Sequence, residues 1–414
     1  MIVKFPMKTS RYGYAVSIWV LMSVASTTLQ AEPDTLTLPA VVAAGFARYP
    51  ELPLSDAIRG QSQAIQSQAS SLLADDPALI VRHESDAANS DAGYRQWEGG
   101  LAMPLWLPGQ RERRFKVAEA TAREADATGR LQKWQVAGAI REVLWSLQIA
   151  EAELDLAGRA VQSAQHLEAD ITARVKAGEL ARGDLILAQK ETLAREIELA
   201  AALSNRDAVL RHYQHLTGLA AVPADINEDA AAGSAVPDDH PALLAAREIS
   251  ARATANRDQI RAEKRANPVL TLGGKTDRPE SGLSYDSALY VEVNVPLGIR
   301  SQTALKSADA ERSRAEAAAA LARAEHEIEH DFGTAIAAQK LAVQSLQLAE
   351  HKRQLATEGL RLTQRAFELG ESDLFTLLQA HTQALDAERD FNIRRLEQGR
   401  AVARVNQALG VIPE

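Results

Sequence analysis

The residues best spaced for chemistry are His326, Glu327 and His330, in the stretch HEIEH. Two histidines four apart share one face of a helix, where their imidazoles can hold a zinc ion while the intervening glutamate serves as the general base of a peptidase. Such a site also needs a third ligand and a sheltered pocket. Here Glu325, Glu329 and Asp331 crowd charge around the pair, as on a solvated helix face. A secreted zinc peptidase resting on HEIEH is the remotest functional reading. His212 and His215, in HYQH, have an i,i+3 spacing that also suits a metal, against the plainer reading of two surface histidines. No phosphate-cradling glycine loop, nucleophile elbow or paired-carboxylate motif occurs. No catalytic residue, cofactor or metal site is therefore assigned, and the chain is read as a non-enzyme.

The elements that would position these groups are long helices. All 15 prolines of the 414 residues fall outside two windows, Gly109 to Val222 and Leu297 to Ile412, both rich in Ala, Glu, Gln, Arg and Leu. Proline in a helix interior costs ~3 kcal/mol, so its avoidance over such lengths marks uninterrupted helix. Val136, Ile140, Val143, Leu147, Ala150, Leu154, Ala157, Val161 and Ala164 alternate spacings of four and three, the seam of a coiled coil. A shift of 192 gives the more polar seam from Ile328 to Ala356, including Gln339 and Arg353. At ~1.5 Å per residue such a helix is on the order of 90 Å long. Aromatics make up only 5% of the chain, which suits narrow helix–helix seams better than a thick globular core.

The same shift organises the rest as an internal duplication. Pro104 answers Pro296, and the LTG of Leu216–Gly218 answers the ALG of Ala408–Gly410. Each half interrupts its long helix once, at Gly178 or Gly370, within RVKAGELARGDLILAQ and RAFELGESDLFTLLQA. Ahead of each long helix lie two short strands. ALYVEVNVPL sets Leu289, Val291, Val293 and Val295 on one face and Tyr290, Glu292 and Asn294 on the other. YRQWEGGLAMPLW is its weaker counterpart, because of Gly99 and Gly100, and PALIVRHE and NPVLTLGGK supply the preceding strands.

The reading divides the chain into a leader over 1–31, a first repeat over 32–222, a linker over 223–240 and a second repeat over 241–414. The first repeat has strands near 77–85 and 95–106 and long helices over 109–218; the second has strands near 268–276 and 286–297 and long helices over 301–410. In the leader, Lys4, Lys8 and Arg11 precede the apolar run from Tyr14 to Ala25, with cleavage placed after Ala31. Losing those three cations takes the formal charge from −9 to −12. That acidity, with no basic block, opposes nucleic acid as a partner. Zero cysteines excludes a disulfide framework and a lipid-modified cysteine.

Four strands of about ten residues can each span a bilayer when tilted, but four cannot close a barrel. They are either soluble sheet or completed by other copies of the chain. The leader, the apolar faces and the aromatics Trp97, Trp106 and Tyr290, at positions suited to interfacial belts, favour completion in a membrane.

Taken with LTLPAVVAAGFARYPEL near the mature N-terminus, and with the two G-x9-A tips leading to LTG and ALG, this order of parts resembles the TolC family of outer membrane efflux proteins over Leu36 to Ile412. LWLPGQRERR and RVKAGELARGDL resemble its heavy-metal (CzcC-like) branch. The resemblance implies a mainly α fold with a transmembrane β portion: a homotrimer whose twelve strands close one β-barrel, continued by an α-barrel of long coiled-coil hairpins across the periplasm. It implies a passive duct in the outer membrane lipid of a Gram-negative cell. A periplasmic adaptor (membrane fusion protein) and an inner-membrane pump of the RND class would be its partners. The exported cargo would be small toxic solutes, divalent metal cations among them. Ala177, Gly178 and Glu179, with Leu369, Gly370 and Glu371, match the adaptor-docking tips. Asp184 matches a family aperture acid, whereas Thr376 and Gln379 stand where the second tip should carry acids, leaving Glu371 and Asp373 as substitutes. The alternative is a periplasmic coiled-coil adaptor or structural protein without a membrane barrel.

Overall fold

A computed structural model describes residues 36–263, 265–297 and 300–413, without the side chains of 300–302. The leader expected over 1–31 lies outside the described residues. The elements in chain order are α1 (Leu38–Ala47), α2 (Leu52–Ser70), β1 (Ala78–Ser85), β2 (Arg95–Pro104), α3 (Gln110–Ala177) and α4 (Arg182–Thr217). These are followed by α5 (Pro241–Ala262), β3 (Val269–Arg278), β4 (Asp286–Asn294), α6 (Arg300–Glu368) and α7 (Leu374–Ala408).

The proline-free windows are filled by helix. α3 runs unbroken for 68 residues and α6 for 69, each on the order of 100 Å at 1.5 Å per residue. Such lengths are stabilised by packing along a seam, since isolated helix propensity is weak. In α3 the seam residues Val136, Ile140, Val143, Leu147, Ala150 and Val161 are buried. In α6 Ile328, Ala335 and Ala349 are buried, while the polar seam residue Arg353 lies with its guanidinium 4.0 Å over the ring of Phe391 in α7.

Side by side, the long helices form a layer in the order α4, α3, α7, α6, with α2 and α5 packed on its strand-proximal part. About midway along α3, Leu38, Val41 and Val42 of α1 close a core with Ile140, Leu144 and Trp145 of α3, Tyr213 of α4 and Ala403 of α7. Arg141 is buried there and forks onto Glu228 at 2.6 and 2.8 Å, with further hydrogen bonds to Gln407 and the Val411 carbonyl. Removing one partner of such a pair leaves a buried charge unmet, at about 3–5 kcal/mol.

The four strands form one antiparallel sheet in the order β1-β2-β3-β4. Its register aligns Leu79, Leu101, Leu272 and Val291 in one row, and Val81, Gly99, Gly274 and Leu289 in the next. These side chains stand in the open: Leu79 is 77% exposed, Val291 70% and Leu289 92%. On the opposite face Arg82, Glu98 and Lys275 alternate in sign across three strands. β1 and β4 are the edges, each paired on one side only among the described residues.

Candidate functional site

Two places carry the candidate residues: the helix turns farthest along the chain from the strands, and the sheet. Both turns are built alike. α3 ends at Gly178, whose φ of 79° lies in the left-handed region, and the Glu179 N–H returns to the Arg174 carbonyl at 2.9 Å. α6 ends before Gly370, φ 75°, with the Glu371 N–H on the Ala366 carbonyl at 2.8 Å. These six-to-one bonds satisfy carbonyls that the helix end leaves open, and glycine takes the left-handed angle without a Cβ clash. Ala177, Gly178, Glu179, Leu369, Gly370 and Glu371 are all exposed. Beneath them Ile171, Ala188, Phe367, Leu374 and Leu377 make one buried cluster, so the turns of α3–α4 and α6–α7 are packed together.

The acids of the two turns serve different ends of the same device. Asp184 is the third residue of α4 and accepts the N–H of Ala181 at 3.1 Å. Alanine has no side-chain acceptor to return the bond, so this is half a capping box. In the second turn Asp373 is itself the N-cap and accepts the Thr376 N–H at 2.8 Å. Hydrogen bonds from the Thr376 hydroxyl and backbone hold the Asp373 carboxyl below its usual range. Since Ala181 matches Asp373 and Asp184 matches Thr376 at the repeat offset, the carboxylate sits at N3 in the first turn and at the N-cap in the second.

In the sheet, Trp97 stands on the apolar face, half exposed, stacked on His83 with ring centroids 4.0 Å apart. Trp106 lies beyond the sheet. Its indole N–H donates to the Ser71 carbonyl at 3.0 Å and Arg114 covers its ring at 5.1 Å. Tyr290 departs from the expected belt: it is on the polar face, because it pairs with Gly273 and its ring lies over Gly100 and Gly273. A Cβ at Gly273 would meet the Tyr290 ring at 2.6 Å and the Gly99 carbonyl at 2.7 Å. Of the two glycines that weaken β2 as a sequence signal, Gly100 therefore forms, with Gly273 of β3, the floor on which a tyrosine packs.

His326 and His330 are exposed on α6, and His212 and His215 on α4. Among the described residues no group of three or more His, Cys, Asp or Glu is placed to hold a metal ion, and no helix is long and apolar enough to cross a membrane.

Two stripes escape a reading of the sequence alone. Leu341, Leu348, Leu355 and Leu362 of α6, and Leu369 just past its end, recur every seven residues and are 62, 73, 62, 54 and 60% exposed. Ile186, Leu193 and Ile197 of α4 are likewise exposed, so both edge helices of the layer carry an unpartnered apolar face. The leucine heptad is visible in the sequence, but it runs beside the intrachain seam, whose stronger pattern hides it.

No family model matches the chain, and no curated protein does. Solved structures do. The outer membrane protein VceC of Vibrio cholerae superposes with a TM-score of 0.72 at 16% identity, over 90% of this chain and 96% of that one. The Campylobacter jejuni CmeC outer membrane channel gives 0.73 at 16% identity over 90% and 85%. The Neisseria gonorrhoeae MtrE outer membrane channel, in its open state, gives 0.70 at 18% identity over 90% and 88%. The chain has the fold of these outer membrane channels. The mainly helical chain with four antiparallel strands expected from the TolC resemblance is thus the fold found, at identities that speak for architecture alone.

Proposed function

We propose that the chain is the outer membrane channel of a tripartite efflux system, a homotrimeric duct through which a periplasmic adaptor and an inner-membrane pump export small toxic solutes. The sheet carries this reading. Its strands are 8, 10, 10 and 9 residues long, apolar residues cover one face across all four, and both edges are open. In lipid an open edge leaves N–H and C=O groups without partners, so such a sheet is stable only when closed. Three copies supply twelve strands, with the apolar rows outward and the polar face lining the lumen. The exposed stripes of α4 and α6 support the same closure below, each edge helix packing on its neighbour's opposite edge. The chain also spans most of the length of the channels it resembles in fold.

In this reading, the domain division stands as a leader, two repeats and a linker, and the turns at Gly178 and Gly370 meet the adaptor. Asp184, Asp373 and Glu371 border the periplasmic aperture. Trp97 and Trp106 mark the membrane interfaces. Cargo choice belongs to the pump, and divalent metal cations are the class that the resemblance to the heavy-metal branch favours. The test is a Gly370→Val substitution, which places a β-branched residue at positive φ in an otherwise open turn. At matched expression the trimer should assemble while resistance to metals and drugs falls to that of the deletion strain. Unchanged resistance would remove Gly370 from the docking surface.

A further inference from the structure

The two ends of the sheet differ in charge. The loops 86–94 and 279–285 contain Asp86, Asp91 and Glu280 and no lysine or arginine, with Arg95 and Arg278 at the strand ends that flank them. At the other end, where strands give way to helices, Arg111, Arg113, Arg114 and Lys116 open α3 against Glu112, with Asp75 and Asp76 just ahead of β1. Backbone pairing carries this end across to β3, with the Leu105 N–H on the Pro268 carbonyl at 2.7 Å. Exposed Arg265 lies just before it, and exposed Lys306 lies near the start of α6.

Arg114 pairs with Glu263 at 3.3 Å and Lys116 with Glu112 at 2.7 Å, while the other cations form no ion pair with an acid among the described residues. Arg111 donates only to the Ala69 and Ser70 carbonyls, at 2.6 and 3.0 Å, and Arg113 only to the Asp258 carbonyl at 3.3 Å. Arg265 pairs with no acid among the described residues. On the adjoining helices, Arg261 and Arg314 share the one carboxylate of Glu311, and Arg257 pairs with its neighbour Asp258 at 2.6 Å. In a chain of net charge −9 this concentration of positive charge is local. The apolar surface extends to the same rim, where Leu72 is 88%, Leu297 85% and Leu305 67% exposed. A band of exposed leucine ending in guanidinium groups, several of them without an acid partner, is the pattern of a surface that meets lipid tails on one side and phosphates on the other.

We propose that this rim binds the anionic headgroups of phospholipids in the leaflet on the helix side of the sheet. The assignment rests on the membrane-channel reading and deepens it, fixing which end of the sheet meets which leaflet. Planar guanidinium groups engage phosphate oxygens two at a time, so arginine suits the role.

The test uses the full-length trimer reconstituted in phosphatidylcholine vesicles with and without phosphatidylglycerol, with native mass spectrometry of the lipid retained on extraction. Wild type should retain phosphatidylglycerol over phosphatidylcholine by roughly tenfold or more at low salt, weakening as salt rises. The Arg113→Gln/Arg265→Gln/Lys306→Gln variant should lose that preference. Arg113→Lys/Arg265→Lys, which keeps the charge, should hold most of it and separates binding from misfolding. Millimolar inorganic phosphate should leave retention unchanged. Displacement by phosphate, or equal phosphatidylglycerol retention by wild type and the glutamine variant, would overturn the proposal while leaving a membrane trimer intact. Absence of the chain from the membrane fraction would overturn the channel reading as well.

Discussion

At the residue scale, the two helix turns show how small a change redistributes a function. The first keeps an acid at the third helical position and the second keeps one at the cap, each completing half of the same hydrogen-bonded box. A carboxylate committed to a helix N-terminus is positioned by the backbone, so Asp184 and Asp373 face their surroundings from different heights on their helices. Replacing Ala181 by serine supplies the missing acceptor to the first turn. We expect stabilisation of about 1 kcal/mol, read as a higher unfolding midpoint. No gain would mean that the α4 N-terminus is already satisfied in solution. The sequence discloses that Thr376 departs from the acid pattern. It offers Asp373 as a substitute acid but does not disclose that Asp373 is the N-cap, because capping depends on where the helix starts, and helix boundaries are poorly fixed by local composition.

At the element scale, close contacts decide which glycines matter. Gly273→Ala should sharply reduce assembled protein in the membrane, since its Cβ meets both the Tyr290 ring and a backbone carbonyl. Gly99→Ala, with nothing within 4 Å, should be tolerated. Similar losses for both would refute the packing of Tyr290 over the glycine floor. The alternation of ALYVEVNV already sets Tyr290 opposite Leu289. What the sequence cannot supply is the cross-strand register that brings Tyr290 over Gly100 and Gly273, because β2 and β4 are neighbours of β3 only in the folded sheet. The long helices are legible for the opposite reason: their signals, absent proline and a four–three seam, are local.

The α3–α7 seam gives a pH dependence. Burial pushes the Glu142 carboxyl up, but hydrogen bonds from Arg404 and Arg400 outweigh it and leave its pKa below the usual glutamate range. A depressed folded-state pKa means that the seam's stabilisation is present above the unfolded value, ~4.3, and is lost as pH falls through the folded one. Acid titration of the unfolding midpoint should therefore show a loss in that window that is reduced in Glu142→Gln. An identical acid profile in both proteins would show that Glu142 contributes nothing there.

At the scale of the whole molecule, the account depends on what a single chain leaves uncovered: two sheet edges, an apolar sheet face and the apolar stripes of α4 and α6. Charge at the middle of the α6 stripe should be incompatible with assembly. Leu355→Glu should shift the detergent-extracted protein from trimer toward monomer while its helical circular dichroism is kept; persistence of the trimer would place the contact elsewhere. The duplication and the alternation of ALYVEVNVPL make the sheet and its apolar face readable from local pattern. The leucine heptad on α6 is equally present in the sequence, but only the neighbours of α6 show that this stripe faces no other part of its own chain.

The most direct test of the central claim is the mass of the complex that the chain forms in the outer membrane, measured after detergent extraction from fractionated cells. The account predicts a species of three copies in the outer membrane fraction. A monomer recovered in the soluble periplasmic fraction would contradict it.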